Sequence, residues 1–257
     1  MKNLQQYNQK IVAIIGTVII GAGILVLLGG IISSLFFNFN FGGANHNNGI
    51  QLENHLLKEE EKIEQVISYD TPLQLDTAQS KFIVPIGFVN LESKEEAGFL
   101  MSRSKYGKRF YSGLYSNFIY FDYKTEDRIQ LFNEKVIITE WSFVKKDSIE
   151  LILFKGVNKD SNQDNKLDSD DAKSLFVYYI KDKELKTYSF ENKIVLNYEL
   201  MPKTNLISLS LGVDLNKDHH FDSRKEPKEI KLLRIDTKQV EELVSSEIHK
   251  NIESLLK

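Results

Sequence analysis

The stretch Asp160-Ser161-Asn162-Gln163-Asp164-Asn165-Lys166-Leu167-Asp168-Ser169-Asp170-Asp171 decides how the rest of the chain is read. Oxygen-bearing side chains fall at its first, third, fifth, ninth and twelfth positions, with the apolar Leu167 eighth. That order suits a hard cation such as calcium, which takes about 6–8 oxygens at roughly 2.3–2.6 Å from a curled loop whose alternate side chains point inward. Lys166 stands seventh, where such a loop offers its backbone carbonyl. Asn165 stands sixth, and asparagine is one of the few residues besides glycine that enters left-handed backbone readily.

A second loop repeats the pattern: Asp214, Asn216, Asp218, His220 at the carbonyl position, Phe221 eighth and Asp222 ninth. Its twelfth residue is Lys225, with Glu226 one place later, so the final ligand requires a one-residue bulge. An Asp/Asn-rich turn without an ion is the competing reading, because these side chains bond their own backbone. It does not account for the same spacing occurring twice. Asp160, Asp164, Asp168 and Asp171, crowded into the first loop, would also repel one another unless a cation lay among them. Calcium is favoured over magnesium, which keeps more of its waters.

Both loops lie between β-type runs. Phe82–Val89, Arg109–Tyr115, Phe118–Phe121, Lys135–Phe143, Ile149–Phe154, Leu175–Ile180, Lys193–Leu200, Leu206–Val213 and Ile230–Ile235 are short, rich in β-branched or aromatic residues, and bounded by polar turns. No helical stretch separates them, so the fold expected is mainly β and antiparallel. Phe118, Leu175 and Ile230 open similar strands at intervals of 57 and 55 residues, and a Gly-Val pair precedes each acidic loop. This predicts units of four strands closed by an acidic loop, arranged as propeller-like blades or as a sandwich.

The ends of the chain read differently. Ile11–Phe37 contains no charge and Ile11–Ile32 is almost wholly apolar, long enough to span about 30 Å of hydrocarbon as a helix. Lys2 and Lys10 precede it and the next lysine is Lys58, which predicts a cytoplasmic N-terminus over residues 1–10, an anchor over 11–37 and the remainder outside. Thr17/Gly21 and Gly30/Ser34 are small-residue pairs of the kind that seat a second helix, a route to a homo-oligomer or a protein partner.

Residues 38–81 read as a polar tether followed by a juxtamembrane helix over Gln51–Ser68, and residues 82–236 as the β domain. Residues 237–257 read as an amphipathic helix capped by Asp236 or Thr237. Its stripe of Val240, Val244, Ile248, Ile252 and Leu256 is expected to dock on the chain's own domain.

A net charge of -3, spread over both signs, leaves no reason to expect a nucleic-acid partner, and the absence of cysteine excludes disulfides and thiolate metal sites. Evidence for an enzyme is thin. Ser102-Arg103-Ser104-Lys105 contains Ser-x-x-Lys without its companion motifs. His219 and His220 have no other histidine or cysteine nearby to complete a zinc or copper site. The aromatics Phe110, Tyr111, Tyr115, Phe118, Tyr120, Phe121 and Tyr123 would form a sugar- or peptide-binding face only if alternation did not bury half of them.

The two loops resemble EF-hand and dockerin calcium loops placed between strands, as in integrin-type β-propellers. Anchor, β repeats and loops together resemble uncharacterised membrane-anchored bacterial envelope proteins. The resemblance implies an inner-membrane protein whose β domain faces the periplasm or exterior. It implies one calcium site at Asp160, Asn162, Asp164, the Lys166 carbonyl, Asp168 and Asp171. A second would use Asp214, Asn216, Asp218, the His220 carbonyl, Asp222 and Glu226. It implies an ion rather than an activity.

Overall fold

Alternating apolar and polar side chains, interrupted every few residues by turn formers, leave the chain little choice but short antiparallel strands. The structure, a computed structural model, describes residues 50–51, 65–75, 80–90, 100–103 and 109–256. All of these belong to one unit spanning Asn47–Lys257. The expected anchor and tether, residues 11–49, lie outside the described residues, and no described helix is long and apolar enough to cross a membrane.

In chain order the strands are β1 (Ile50–Gln51), β2 (Gln65–Tyr69), β3 (Leu73–Gln74), β4 (Lys81–Asn90), β5 (Leu100–Arg103), β6 (Arg109–Tyr115), β7 (Asn117–Asp122) and β8 (Asp127–Gln130). They continue as β9 (Ile137–Lys146), β10 (Ile149–Val157), β11 (Lys166–Leu167), β12 (Ser174–Tyr179) and β13 (Glu184–Tyr188). The last are β14 (Lys193–Leu200), β15 (Leu206–Val213), β16 (Lys228–Arg234) and β17 (Gln239–Glu242), before helix α1 (Ser246–Leu255).

Four antiparallel sheets result among the described residues, a two-stranded one of β1 and β11 and three larger ones. Of these three, the first runs β2-β4-β7-β8, with β3 also on β4; the second β13-β12-β10-β9-β6-β5; the third β14-β15-β16-β17. Each contains a meander of four strands, and the starts noticed in the sequence at Phe118, Leu175 and Ile230 fall in the third strand of each, β7, β12 and β16. The turn after that strand ends each time in a residue of positive φ: Glu126 at 58°, Lys183 at 53° and Lys238 at 56°. A backbone conformation repeated at equivalent turns is a firmer sign of a structural repeat than side-chain similarity.

The acidic loops sit within the units rather than closing them. Asp160–Asp171 joins the second and third strands, β10 and β12, and the second loop joins β15 to β16. The reason is pairing: each loop returns the chain antiparallel to the strand it has just left. In the first unit the same interval, between β4 and β7, instead carries β5 and β6, which pair with each other and extend the second sheet through β9.

The sheets share two large cores and a smaller cluster of Phe88, Ile137, Val157 and Leu167. One face of the second sheet contributes Ile152, Phe154, Phe176 and Tyr178 to a cluster with Ile83, Phe118 and Tyr120 of the first. Its opposite face contributes Leu151, Leu153, Leu175 and Val177 to a cluster with Val195, Ile207, Leu209 and Leu233 of the third. The middle sheet is thus sandwiched, and all six residues of β12 are buried. Each large side chain so buried stabilises by roughly 1.5–3 kcal/mol. Trp141 anchors the first cluster, stacked on Tyr111 at 4.0 Å and edge-on to Phe118 at 5.8 Å.

Alternation also settles the aromatic run. Tyr111, Tyr115, Phe118 and Tyr120 are core, while Tyr123 is exposed and Phe121 stacks on Phe82.

Three sequence expectations are corrected. Of the helix expected over Gln51–Ser68, Gln51 and Gln65–Ser68 are extended, because β1 and β2 find sheet partners in β11 and β4, and residues 52–64 lie outside the described residues. Among the described residues, strands consequently occur on both sides of 82–236, from Ile50 to Glu242. At the other end, Val240 pairs with Leu233 in β17, so helix α1 begins only at Ser246 and is capped by Ser245, whose side chain accepts from the Ile248 amide. The tight turn at Lys238, held by ion pairs to Asp182 and Glu184 at 2.5 and 2.7 Å, consumes the residues proposed as caps. None of the helix residues is buried, and Ile248 and Ile252 are about half exposed, so the helical part of the stripe does not dock on its own domain, whereas Val240, in the third sheet, packs against the core.

Candidate metal loops

Both loops leave the same end of the stack. The Val195 amide donates to the carbonyl of Lys173 and the Lys155 ammonium to that of Leu196, joining the loop ends of the second and third sheets, and within the third the Asp214 amide donates to the carbonyl of Asn192.

Within Asp160–Asp171 the polar side chains turn to backbone amides. Asp160 accepts from Asp164 at 3.2 Å and Asn165 at 2.9 Å, Asn162 from Asp164 at 3.1 Å, and Asp164 from Lys166 at 2.9 Å. Asp168 accepts from Asp170 at 2.8 Å. Asp171 closes the loop, one oxygen accepting from Ser161 at 2.6 Å and the other from Asp168 at 3.0 Å. Gln163 and Asn165 take φ of 61° and 66°.

The second loop makes nearly the same set of bonds. Asp214 accepts from Lys217 at 2.7 Å and His219 at 2.9 Å, Asn216 from Asp218 at 3.1 Å, Asp218 from His220 at 2.9 Å, and Asp222 from Arg224 at 2.9 Å. Glu226 bridges the Leu215 and Asp222 amides, both at 2.9 Å, as Asp171 bridges Ser161 and Asp168. Positive φ recurs at the fourth and sixth positions, Lys217 at 61° and His219 at 64°.

The displaced final carboxylate is therefore accommodated. Both the Lys225 and Glu226 amides donate to the Asp222 carbonyl, a turn one residue longer than the Asp171-to-Asp168 turn of the first loop. Glutamate's extra methylene reaches back over that added residue. Lys225 points outward, paired with Asp222 at 3.4 Å and with its side chain 82% exposed.

Among the described residues no three acidic or histidine side chains converge as a group that could hold a metal ion. The acidic groups instead bond amides, and a carboxylate with one or two such bonds still has acceptor capacity. Their burial argues for compensation: Asp171 is 1% exposed, Asp214 4%, and Asp168 and Glu226 8%. Burial, followed by the charges of Asp170, Asp164 and Asp171, raises the Asp168 pKa. Lys173 supplies nearby positive charge; its ammonium donates to the Ser169 carbonyl at 2.5 Å, and burial lowers its own pKa. In the second loop the Asp218 pKa is lowered, chiefly by the His220 amide, and that of Asp222 by the Arg224 amide.

Two features of the first loop escape sequence reasoning. Ser161 donates its hydroxyl to Asp171 at 3.0 Å and accepts from the Ala172 amide at 2.8 Å. Lys166–Leu167, at the seventh and eighth positions, is a strand paired with Ile50–Gln51. The Asp-x-Asn-x-Asp spacing hints at neither, since both depend on residues outside it.

Of the Ser-x-x-Lys motif, Ser102 and Arg103 lie in β5, and Ser104 and Lys105 are outside the described residues. His219 approaches Asp214 at 3.9 Å. The chain matches no protein-family model and no curated protein.

Proposed function

We propose that this chain is a membrane-anchored extracytoplasmic module whose β domain is stabilised by calcium in its acidic loops and serves to bind or scaffold other molecules. The observation carrying this reading is that the two Asp-x-Asn-x-Asp loops, whose other residues differ, adopt nearly the same amide bonding and left-handed backbone at the same fourth and sixth positions. One ligand requirement met twice accounts for the shared spacing and the shared conformation together.

Calcium would be held in the first loop by Asp160, Asn162, Asp164, the Lys166 carbonyl, Asp168 and Asp171. In the second it would be held by Asp214, Asn216, Asp218, the His220 carbonyl, Asp222 and Glu226. Turning the side chains inward from their amides would be part of binding. The ion would supply charge compensation for buried carboxylates and a brace between paired strands. Because strands flank both loops, the response is a clamp rather than the opening of a helix pair.

Four-stranded meanders, each of the last two with an acidic loop after its second strand, support a propeller-like arrangement and the likeness to membrane-anchored envelope proteins. The uncharged run 11–37 supports a single-pass anchor in a bacterial inner membrane with the β domain outside. Calorimetric titration of the purified chain with calcium tests the reading: one or two sites should appear, with a melting midpoint that falls on chelation. An unchanged midpoint and no binding heat would remove calcium from the account.

The exposed apolar stripe of α1, with Ile248, Ile252 and Leu255, favours a second reading, an accessory subunit of a larger membrane assembly. Detergent extraction followed by identification of co-purifying chains, compared with Ile252→Glu, tests it. An envelope hydrolase with a non-contiguous site is the remaining alternative class; a concave pocket holding a nucleophile beside a general base would favour it.

A further inference from the structure

The first acidic loop has a companion that the second lacks. Ile50 pairs with Leu167 and Gln51 with Lys166, antiparallel, so a two-residue strand just beyond the expected tether lies on the loop's own edge. Leu167 is 1% exposed and packs with Phe88, Ile137 and Val157, and Ile50 rests half-buried against that cluster beside Leu114. The edge that receives Ile50 is held at both ends by the loop's side chains. The Lys166 amide donates to Asp164 at 2.9 Å, and the Asp168 amide to Asp171 at 3.0 Å.

A two-residue ladder is too short to persist unaided. It exists only while its partner is fixed in extended form, and here the partner belongs to a loop that itself depends on local carboxylate-to-amide bonds. In the second loop the equivalent residues, His220–Phe221, pair with no strand among the described residues, and Phe221 packs on Gly212 instead. Strand docking is therefore not a general requirement of this loop type.

We propose that the first acidic loop is a latch for the chain next to the anchor: ordering of Asp160–Asp171 and docking of Ile50–Gln51 are one coupled event. With the latch closed, the domain is held from residue 50. Opened, the first described strand that holds it is β2, starting at Gln65, so the latch sets whether residues 50–51 belong to the folded β region. Coupling is reciprocal, so whatever orders the loop docks the strand, and losing the strand loosens the loop.

Hydrogen exchange of the full chain in detergent or nanodiscs tests this. Ile50→Asp, and independently Ile50→Pro, which removes the amide that faces Leu167, should speed exchange at residues 164–167 by about 5- to 150-fold while leaving residues 218–221 unchanged. Unchanged exchange at 164–167 in both variants overturns the latch. A second arm adds calcium chloride or a chelator to the unaltered chain, and this arm alone rests on the calcium reading. Protection rising together at 164–167 and 50–51 supports coupling, whereas protection at 164–167 without any at 50–51 overturns it and leaves calcium binding intact. Should calcium alter neither segment, the calcium reading fails, and the two variants still decide the latch.

Discussion

The two acidic loops reach one conformation by different means. The first closes with Asp171 after a short turn, the second with Glu226 after a longer one, and the two carboxylates bridge equivalent amides. Yet the preceding Gly-Val pairs face different surroundings. A Cβ at Gly156 would lie 2.3 Å from the Ile137 carbonyl oxygen, where the ladder to β9 shifts register. One at Gly212 would lie 2.4 Å from the Phe221 ring. The first loop is built against immovable backbone and a docked strand, the second against a side chain. Conformation within a loop is thus a local property of its sequence, while its rigidity belongs to what surrounds it.

The largest expected effect tests what the loops share. At calcium about 100-fold above the dissociation constant, each occupied site should add about 2.7 kcal/mol, so chelation should lower the denaturation midpoint strongly if both fill. Asp171→Asn and Glu226→Gln should each abolish one binding event in a calcium titration. Loss of both events from either single change would show that the loops are not independent.

The glycines should separate the loops. Gly156→Ala should destabilise by about 2–3 kcal/mol, because a backbone carbonyl cannot retreat, and Gly212→Ala by about 1 kcal/mol, because the Phe221 ring can turn. Urea unfolding of both variants measures this. Equal losses would mean that the second loop is as firmly backed as the first.

Lys225→Ala should change stability by less than about 0.5 kcal/mol and leave calcium binding intact, since that side chain points to solvent. Loss of binding would return Lys225, with its backbone, to the ligand position expected from strict spacing.

Acid provides the smallest effect and a control away from the loops. Glu150 is pushed up by burial, but hydrogen bonds and charge from Lys81 and Lys145 outweigh this and hold its pKa below the ordinary value of 4.5. A lowered folded pKa gives stability that is present above the unfolded value and lost as pH falls through the folded one. Glu150→Gln should therefore flatten the decline in urea midpoint below pH 4.5, equally with calcium or chelator. A difference between those two conditions would tie the Lys81–Glu150 contact between the first and second sheets to the loops.

Much of this is legible in the sequence alone. Runs such as Ile149–Phe154 and Leu206–Val213 declared themselves as strands because period-two alternation is a local property. The interval of about 55 residues located equivalent third strands for the same reason. The left-handed sixth position followed from Asn165, though nothing marked His219 for the same role. Helical spacing misled at Gln65–Ser68 and Val240, where a short run of apolar residues fits two periods and the available sheet edge chose between them.

By itself, then, the sequence determined the strands, the repeat and the acidic spacing, since each depends on residues close together in the chain. Only the tertiary structure decided that the loops lie inside the units, that Glu226 stands in for a twelfth residue, and that Ile50–Gln51 lies on Lys166–Leu167. Those outcomes depend on which backbone groups meet across more than a hundred residues or around one extra peptide. Pairing energy is won in space, and side-chain spacing along a chain does not record it.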